Sequence, residues 1–172
     1  IYNVQYAEFV EKFSNTAIPE YLPHAFFIEG GALGVENALK VAFDWKVRKN
    51  MEKGKGEKGG KIIHFKQAFH GRTGYTLSLT NTSDPRKTMY FPKFDWPRID
   101  IPKLSFPITD IVLEEVKKNE NIAIAQIKSA LEKNQDDVAA LIIEPIQGEG
   151  GDNHFRDEFF VALRQLCDEN EM

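Results

Sequence analysis

The sequence predicts an α/β fold in which helices cover both faces of a mostly parallel sheet. The first indication is the unbroken apolar run at residues 139–143, which is typical of a strand buried on both faces. The second is that candidate helices and strands alternate along the chain, as they do in layered α/β proteins. With 172 residues, of which 42% are hydrophobic, the chain is expected to fold around one core.

The N-terminal half is expected to contain a short helix at residues 6–13 and a short strand at residues 25–28. A strong helix follows the glycine-rich turn at 30–34 and is expected to end near Asn50. Its apolar stripe has the spacing of one helical face and consists of Val35, Leu39, Ala42 and Phe43. Two i,i+4 charge pairs are expected on the exposed face, namely Glu36 with Lys40 and Asp44 with Arg48.

In the rest of the chain, residues 51–61 alternate lysine with glycine and glutamate and are expected to form a solvated, mobile loop. Residues 62–65 are the next strand candidate. The segment 81–107 holds five of the eight prolines, which predicts an irregular excursion over the surface. The remaining predicted elements are helices at 109–118 and 122–133, a strand at 138–143 and a helix at 156–170.

Charge and composition exclude several classes of protein. A net charge of −4 argues against a general nucleic-acid binder, and no apolar run approaches the length of a membrane span. The only cysteine, Cys167, falls on the apolar side of a predicted helix, which favours a reducing, cytoplasmic setting. Because the chain begins at Ile1 and stops at Met172 just after a helix, it is expected to be a piece of a longer protein.

The turn Gly30-Gly31-Ala32 is a candidate anion site. Small residues between a strand and a helix leave free backbone amides, and the helix dipole favours negative charge there. The turn matches neither the dinucleotide-binding fingerprint nor a P-loop. A tight strand-to-helix turn with no ligand explains the same residues.

A second candidate site is the segment Phe69-His70-Gly71-Arg72, which follows the strand at 62–65. An aromatic ring can stack on a planar cofactor, and the guanidinium of Arg72 offers a fork that matches a carboxylate. The alternative is a core phenylalanine, a satisfied histidine and a surface arginine.

The third candidate site follows the apolar run at 139–143 and contains Glu144 and Glu149. In open α/β sheets, ligands bind outside the carboxyl ends of the strands. The two carboxylates are suited to an acid/base pair or to binding a hard metal ion. Alternatively, residues 148–151 are only a turn and both glutamates are solvated.

Taken together, these segments resemble the class III (omega) aminotransferases, fold-type I enzymes that use pyridoxal 5′-phosphate. Four stretches carry the resemblance: EGGALGVENALKVAFDW (29–45), FHGRTGYTLSLT (69–80), FPKFDWPRI (91–99) and IIEPIQGEGGDNHFRDEF (142–159). Within the family, the third stretch and residues 153–156 are most similar to the branch that acts on the 6-amino group of L-lysine. The resemblance implies transfer of that ε-amino group to 2-oxoglutarate, giving 2-aminoadipate 6-semialdehyde and L-glutamate.

The resemblance also implies roles for individual residues. The amides of Gly31 and Ala32 would hold the cofactor phosphate, and Phe69 would stack on the pyridine ring. His70 matches a position beside the cofactor, and Glu144 would lie near the ring and its 3-oxygen. No metal ion is implied.

Two further residues match positions that contact the substrates. Arg72 would bind the α-carboxylate of the donor. Glu149 matches the gate position of the family, where a glutamate pairs with an arginine while the amine donor binds and releases it for the dicarboxylate acceptor.

The catalytic residues of the family fall outside this chain. The Schiff-base lysine and the aspartate that pairs with the pyridine nitrogen are expected after Met172. Residues 1–23 would be an N-terminal lead-in and residues 24–172 part of the large cofactor domain, in a homodimer with its active site at the subunit interface. Two alternatives remain open: an ornithine- or 4-aminobutyrate-type enzyme of the same class, and a non-catalytic homologue that binds the cofactor.

Overall fold

A computed structural model, which describes residues 3–172, shows a parallel sheet covered by helices on both faces. Its strands are β1 (Lys61–Phe65), β2 (Arg98–Ile99) and β3 (Val138–Leu141), in the spatial order β2-β1-β3. The central strand β1 pairs in parallel with both neighbours. The carboxyl ends of all three strands therefore lie at one edge of the sheet, and the predicted α/β class is confirmed.

One face of the sheet is covered by α2 (Gly31–Glu52) and the short α3 (Gly74–Leu79). The predicted stripe of α2 packs there because it repeats once per helical turn and side chains of β1 alternate between the two faces. The buried side chains of this layer are Leu39, Ile62, Leu79, Trp96 and Ala139. This layer fixes where the start of α2 lies relative to the strand ends.

The opposite face is covered by α4 (Asp110–Lys133) and α5 (Asp157–Glu169). The apolar side chains of both helices meet those of the strands in the larger of the two clusters. Its buried members are Ile63, Phe65, Ile99, Ala123, Ile127, Val138, Phe155, Phe159, Leu163 and Leu166. Cys167 is buried on the same helix stripe, as predicted.

Two small elements lie outside the three layers. Helix α1 (Val4–Thr16) packs its aromatic side chains against Phe27. A two-stranded antiparallel hairpin, β4 (Ile146–Gln147) and β5 (Asn153–His154), follows β3 and was not predicted. Within residues 3–172, no helix is both long enough and apolar enough to span a membrane.

Several predicted elements are wrong in detail. Residues 25–28 form no strand, because no strand within residues 3–172 pairs with them and Phe26 is 73% exposed. The two helices predicted at 109–118 and 122–133 are one helix, since residues 119–121 include no proline or glycine that would interrupt it. Glu120, in its middle, is buried by a two-pronged contact with Arg156. The strand at 138–143 ends at Leu141, and its last residues are only half-buried.

The other differences concern loops. The segment 51–61 begins inside α2, and its remainder is tied to the fold: Asn50 donates to the Lys58 carbonyl, and Lys55 donates to Asp136. The proline-rich segment 81–107 is irregular except for a 3-10 turn (Pro85–Lys87) and β2. Two-residue strands such as β2 carry too little periodicity to be recognised from sequence.

Candidate functional site

The start of α2 presents free backbone amides. Gly30, which precedes the helix, has a φ of +82°, a conformation that glycine adopts without strain. No side chain in the described part of the chain caps this end of the helix. The first helical bond runs from the Gly34 amide to the Gly30 carbonyl at 3.1 Å, so the amides of residues 31–33 have no helical acceptor. These amides and the helix dipole favour an anion.

The segment that follows β1 packs directly against the start of α2. Gly71 has a φ of +122°, and a Cβ added there would lie 2.7 Å from the Ala32 Cβ and 2.8 Å from the Thr76 Oγ1. Only glycine therefore permits the approach, for reasons of both space and conformation. Gly71 is a residue that builds the site without contributing a side chain.

The two segments enclose an open cleft of about 630 Å³, so the first two sequence-predicted sites are one site. The cleft is lined by Gly31, Ala32, Val35, Phe69, His70, Gly71, Arg72 and Thr73. The side chain of Arg72 is exposed and has no hydrogen-bond or ion-pair partner among residues 3–172. Its guanidinium is thus available to a ligand carboxylate.

His70 is buried beside the cleft, with only 8% of its surface exposed. Its amide donates to Thr80 Oγ1 at 3.0 Å, whereas its ring atom Nε2 is buried without a partner among the residues that the structure describes. Burial lowers the pKa of His70 to about 4, so the ring is neutral at pH 7. Buried polar atoms are normally hydrogen-bonded, and an unpartnered nitrogen beside a cleft fits a site that receives a polar ligand.

Glu144 links the segment that follows β3 to the segment that follows β1. Its Oε1 accepts a hydrogen bond from the Phe69 amide at 2.8 Å, which fixes the backbone of that residue at the cleft. Burial raises the pKa of Glu144, whereas the hydrogen bond from the Phe69 amide acts to lower it. Among residues 3–172, neither Glu144 nor Glu149 belongs to a cluster of three or more potential metal ligands.

Glu149 does not line the cleft. It lies in the turn between β4 and β5, and its Oε1 accepts from Lys87 Nζ at 3.3 Å. The turn packs closely against the backbone at Gln67, because a Cβ added to Gly150 would lie 2.2 Å from the Gln67 carbonyl oxygen. A buried amide network holds its base: Asn153 Nδ2 donates to Gln147 Oε1 at 2.9 Å and to Gln67 Oε1 at 3.0 Å.

The prediction that Glu36 lies on the exposed face of α2 is wrong. It is buried and does not pair with Lys40. Its Oε1 instead accepts from Thr73 Oγ1 at 2.6 Å, from the Tyr75 amide at 2.7 Å and from the Thr76 amide at 3.3 Å. The other predicted pair is confirmed, with Arg48 Nε 2.8 Å from Asp44 Oδ2.

Comparison with known proteins gives one consistent family for this chain. The family model described as aminotransferase class-III matches residues 1–172. The L-lysine-epsilon aminotransferase of Mycobacterium tuberculosis is 51% identical over 170 residues, which are 98% of this chain and 37% of that protein. The human mitochondrial 4-aminobutyrate aminotransferase is 31% identical over an alignment that covers 92% of this chain and 36% of the relative.

Among solved structures, lysine aminotransferase from M. tuberculosis in the internal aldimine form superposes with a TM-score of 0.94. The sequence identity is 51%, and the match covers 99% of this chain and 39% of the other. This chain therefore spans less than two fifths of the length of the relatives that it matches.

Proposed function

We propose that this chain, which belongs to the class-III aminotransferase family, is part of an enzyme that moves the ε-amino group of L-lysine to 2-oxoglutarate. The products would be 2-aminoadipate 6-semialdehyde and L-glutamate. The observation that carries the proposal is the cleft itself, where free helix amides face an available arginine. The 51% identity to an L-lysine-epsilon aminotransferase, against 31% to a 4-aminobutyrate aminotransferase, favours lysine as the donor.

The cofactor of this family is pyridoxal 5′-phosphate, and the residues of the cleft fit it. The uncapped start of α2 offers backbone amides to a phosphate, at Gly31 and Ala32. The ring of Phe69 is part of the cleft wall and has the chemistry to stack on a pyridine. The unpartnered Nε2 of His70 is a further polar atom beside the bound group.

When bound, pyridoxal phosphate supplies an aldehyde that reacts with amines and a ring that withdraws electrons. The residues of this chain have the tasks of binding and orientation. Glu144 holds the Phe69 backbone through a 2.8 Å hydrogen bond, and its carboxyl group would lie near the cofactor ring. His70, which is neutral at pH 7 because burial lowers its pKa to about 4, adds no charge beside the cofactor.

Substrate recognition is assigned to two side chains. Arg72 binds the α-carboxylate of lysine, because its planar fork is exposed and unpaired in the described part of the chain. Glu149 acts as the gate and engages an arginine from another part of the enzyme during the lysine half-reaction. Its release of that arginine lets the second carboxylate of 2-oxoglutarate bind.

The proposal extends to parts of the enzyme that this chain does not contain. Residues 24–172 belong to the large cofactor domain, with residues 1–23 as its lead-in. The cofactor-bearing lysine and the aspartate for the pyridine nitrogen would follow Met172. The enzyme would be a homodimer, which is supported by exposed apolar side chains that lie together at α2, with Phe26 73% and Val41 70% exposed. We place it in the cytoplasm, where the buried free thiol of Cys167 would stay reduced.

The proposal is tested by mixing the full-length protein, loaded with pyridoxal phosphate, with lysine, ornithine or 4-aminobutyrate. Single-turnover absorbance then gives the rate of each half-reaction. Lysine is expected to react fastest. Faster reaction of ornithine or 4-aminobutyrate would move the enzyme to another branch of the family, and a protein that binds the cofactor without reacting with any of the three donors would be a non-catalytic homologue.

A further inference from the structure

The buried carboxylate of Glu36 has no part in the chemistry proposed above, although one of its oxygens accepts three hydrogen bonds. Two of the donors are the amides of Tyr75 and Thr76 in the first turn of α3. A carboxylate at a helix N-terminus satisfies amides that have no helical acceptor and interacts favourably with the dipole. Glu36 thus ties the start of α3 to α2.

Glu36 and Ala32 are one helical turn apart on α2, and they contact the two residues that flank Arg72. Ala32 meets Gly71, where the backbone approach leaves no space for a Cβ. Glu36 accepts from the hydroxyl of Thr73 at 2.6 Å. One face of α2 therefore holds the chain on both sides of the arginine.

The backbone atoms on either side of Arg72 are held as well. The Gly71 carbonyl accepts from Thr80 Oγ1 at 2.6 Å, and the Thr73 amide donates to Thr76 Oγ1 at 2.9 Å. Since the free amides of residues 31–33 belong to the same helix turn as Ala32, the base of Arg72 has a fixed position relative to the anion site.

We propose that Glu36 is a positioning residue that sets the distance between the anion site and Arg72, and thereby selects the chain length of the amino donor. This inference rests on the proposed function, in which the amides hold the cofactor phosphate and Arg72 holds the donor carboxylate. The reacting amine has a fixed position relative to the phosphate. The position of Arg72 therefore decides which separation between amine and carboxylate fits, and lysine differs from ornithine by one methylene group in that separation.

The test compares Glu36→Ala with Glu36→Gln in the full-length protein. Glutamine keeps a carbonyl oxygen as acceptor for the three donors, whereas alanine leaves them unpaired. In Glu36→Ala, we expect KM for lysine to rise by at least about tenfold with kcat within about threefold, and the preference for lysine over ornithine to fall. Glu36→Gln should stay within about threefold of wild type in KM and keep the preference. Glu52→Gln, an exposed carboxylate on the same helix, is the matched control.

If Glu36→Ala does not fold, Thr73→Val and Thr73→Ser replace it, because valine removes the hydroxyl that serine retains. Hydrogen exchange at the amides of Tyr75 and Thr76 reports the loss of the contact independently of activity. Faster exchange with unchanged KM and unchanged donor preference would overturn the proposal, since Glu36 would then only stabilise α3. If wild type prefers another ω-amino donor, the lysine assignment fails; a weakened preference for that donor in Glu36→Ala would still support the role of Glu36.

Discussion

The two segments that carry the proposed substrate-recognition residues both have an anchored backbone, and they differ in what their side chains contact. The side chain of Arg72 has no partner among residues 3–172, whereas that of Glu149 is paired. The base of Arg72 lies between two anchored residues, with Gly71 against α2 and Thr73 bound to a buried carboxylate. Glu149 lies on a hairpin whose base is equally firm, and the one hydrogen-bond partner of its carboxylate among residues 3–172 is Lys87, 3.3 Å away at the surface. An exposed pair of this kind contributes about 0–1 kcal/mol.

This difference matches the different tasks of the two residues in the proposed reaction. A donor carboxylate has to be bound at one fixed position, so Arg72 is fixed at its base. A gate has to exchange partners between the two half-reactions, so the contact of Glu149 has to be weak. A firm backbone under a weakly held side chain allows the side chain to change partner while the hairpin keeps its conformation.

The largest effect is expected from Gly71→Ala. The new Cβ would force a strained φ and a clash with Ala32, which together cost about 2–5 kcal/mol of the free energy of unfolding. Cofactor affinity should fall by at least about tenfold, because the cleft wall has to move. Urea unfolding and cofactor titration measure the two quantities. Gly148→Ala, in the Glu149 turn, is the control, since a Cβ there meets nothing within 4 Å; equal losses in both variants would contradict the account.

Arg72→Ala comes next. Loss of a charge-assisted, two-pronged contact costs about 1.5–3 kcal/mol, so kcat/KM for lysine should fall by roughly 10- to 150-fold. Steady-state kinetics measure this change. Cofactor affinity should stay near that of wild type, because the guanidinium is assigned to the donor. A variant that loses the cofactor but keeps its KM for lysine would place Arg72 in cofactor binding.

A smaller effect concerns the stability of the protein in acid, to which His70 beside the cleft and the buried His64 both contribute. Burial lowers the pKa of both His64 and His70 from 6.5 to about 4. Between pH 6.5 and pH 4 these histidines are protonated in the unfolded state and neutral in the folded state. The free energy of unfolding is therefore unaffected above about pH 6.5 and decreases as the pH falls toward 4. Each histidine should cost about 2 kcal/mol between pH 7 and pH 5. Urea midpoints across this range should show a shallower pH slope in His70→Gln, and an unchanged slope would contradict the burial of a neutral ring.

The smallest effect is expected from Lys87→Met, on the Glu149 side. Removing an exposed partner should change the free energy of unfolding by less than about 1 kcal/mol and the lysine half-reaction by less than about threefold. Urea unfolding and stopped-flow absorbance measure the two. A tenfold or larger change would mean that Lys87 is a functional partner of the gate, and the contrast between the two segments would then be weaker than described here.

Local periodicity in the sequence predicted much of the fold but little of what positions the site. The stripe of Val35 and Leu39 was enough to predict α2, because its spacing is local. The burial of Glu36 was not predictable, since its partners lie 37–40 residues away and a carboxylate beside an apolar stripe normally faces water. Glu120 inside α4 was missed for the same reason, because Arg156 is 36 residues distant. The strands β4 and β5 are too short for any periodicity.

In the candidate site too, the residue types could be predicted from the sequence, but the contacts that position them could not. The residue types at 69–72 and 144–149 indicated a ligand site, and resemblance to a family supplied their roles. The sequence did not reveal that Glu144 binds the Phe69 amide or that Gly71 is the residue that brings the two walls together. The first feature depends on which strands are neighbours in the sheet, and the second depends on how α2 packs against it. The order of elements along the chain leaves both open.

The gate assignment of Glu149 is the central claim about how two unlike substrates use one cleft, and single-turnover kinetics of Glu149→Ala test it most directly. The full-length variant, loaded with cofactor, is mixed with lysine in one experiment and, in its amino form, with 2-oxoglutarate in the other. We expect the lysine half-reaction to slow by at least about tenfold while the 2-oxoglutarate half-reaction keeps its rate or accelerates, because the arginine that suits the dicarboxylate is no longer masked. Equal slowing of both half-reactions would contradict a gate and leave Glu149 with a structural role.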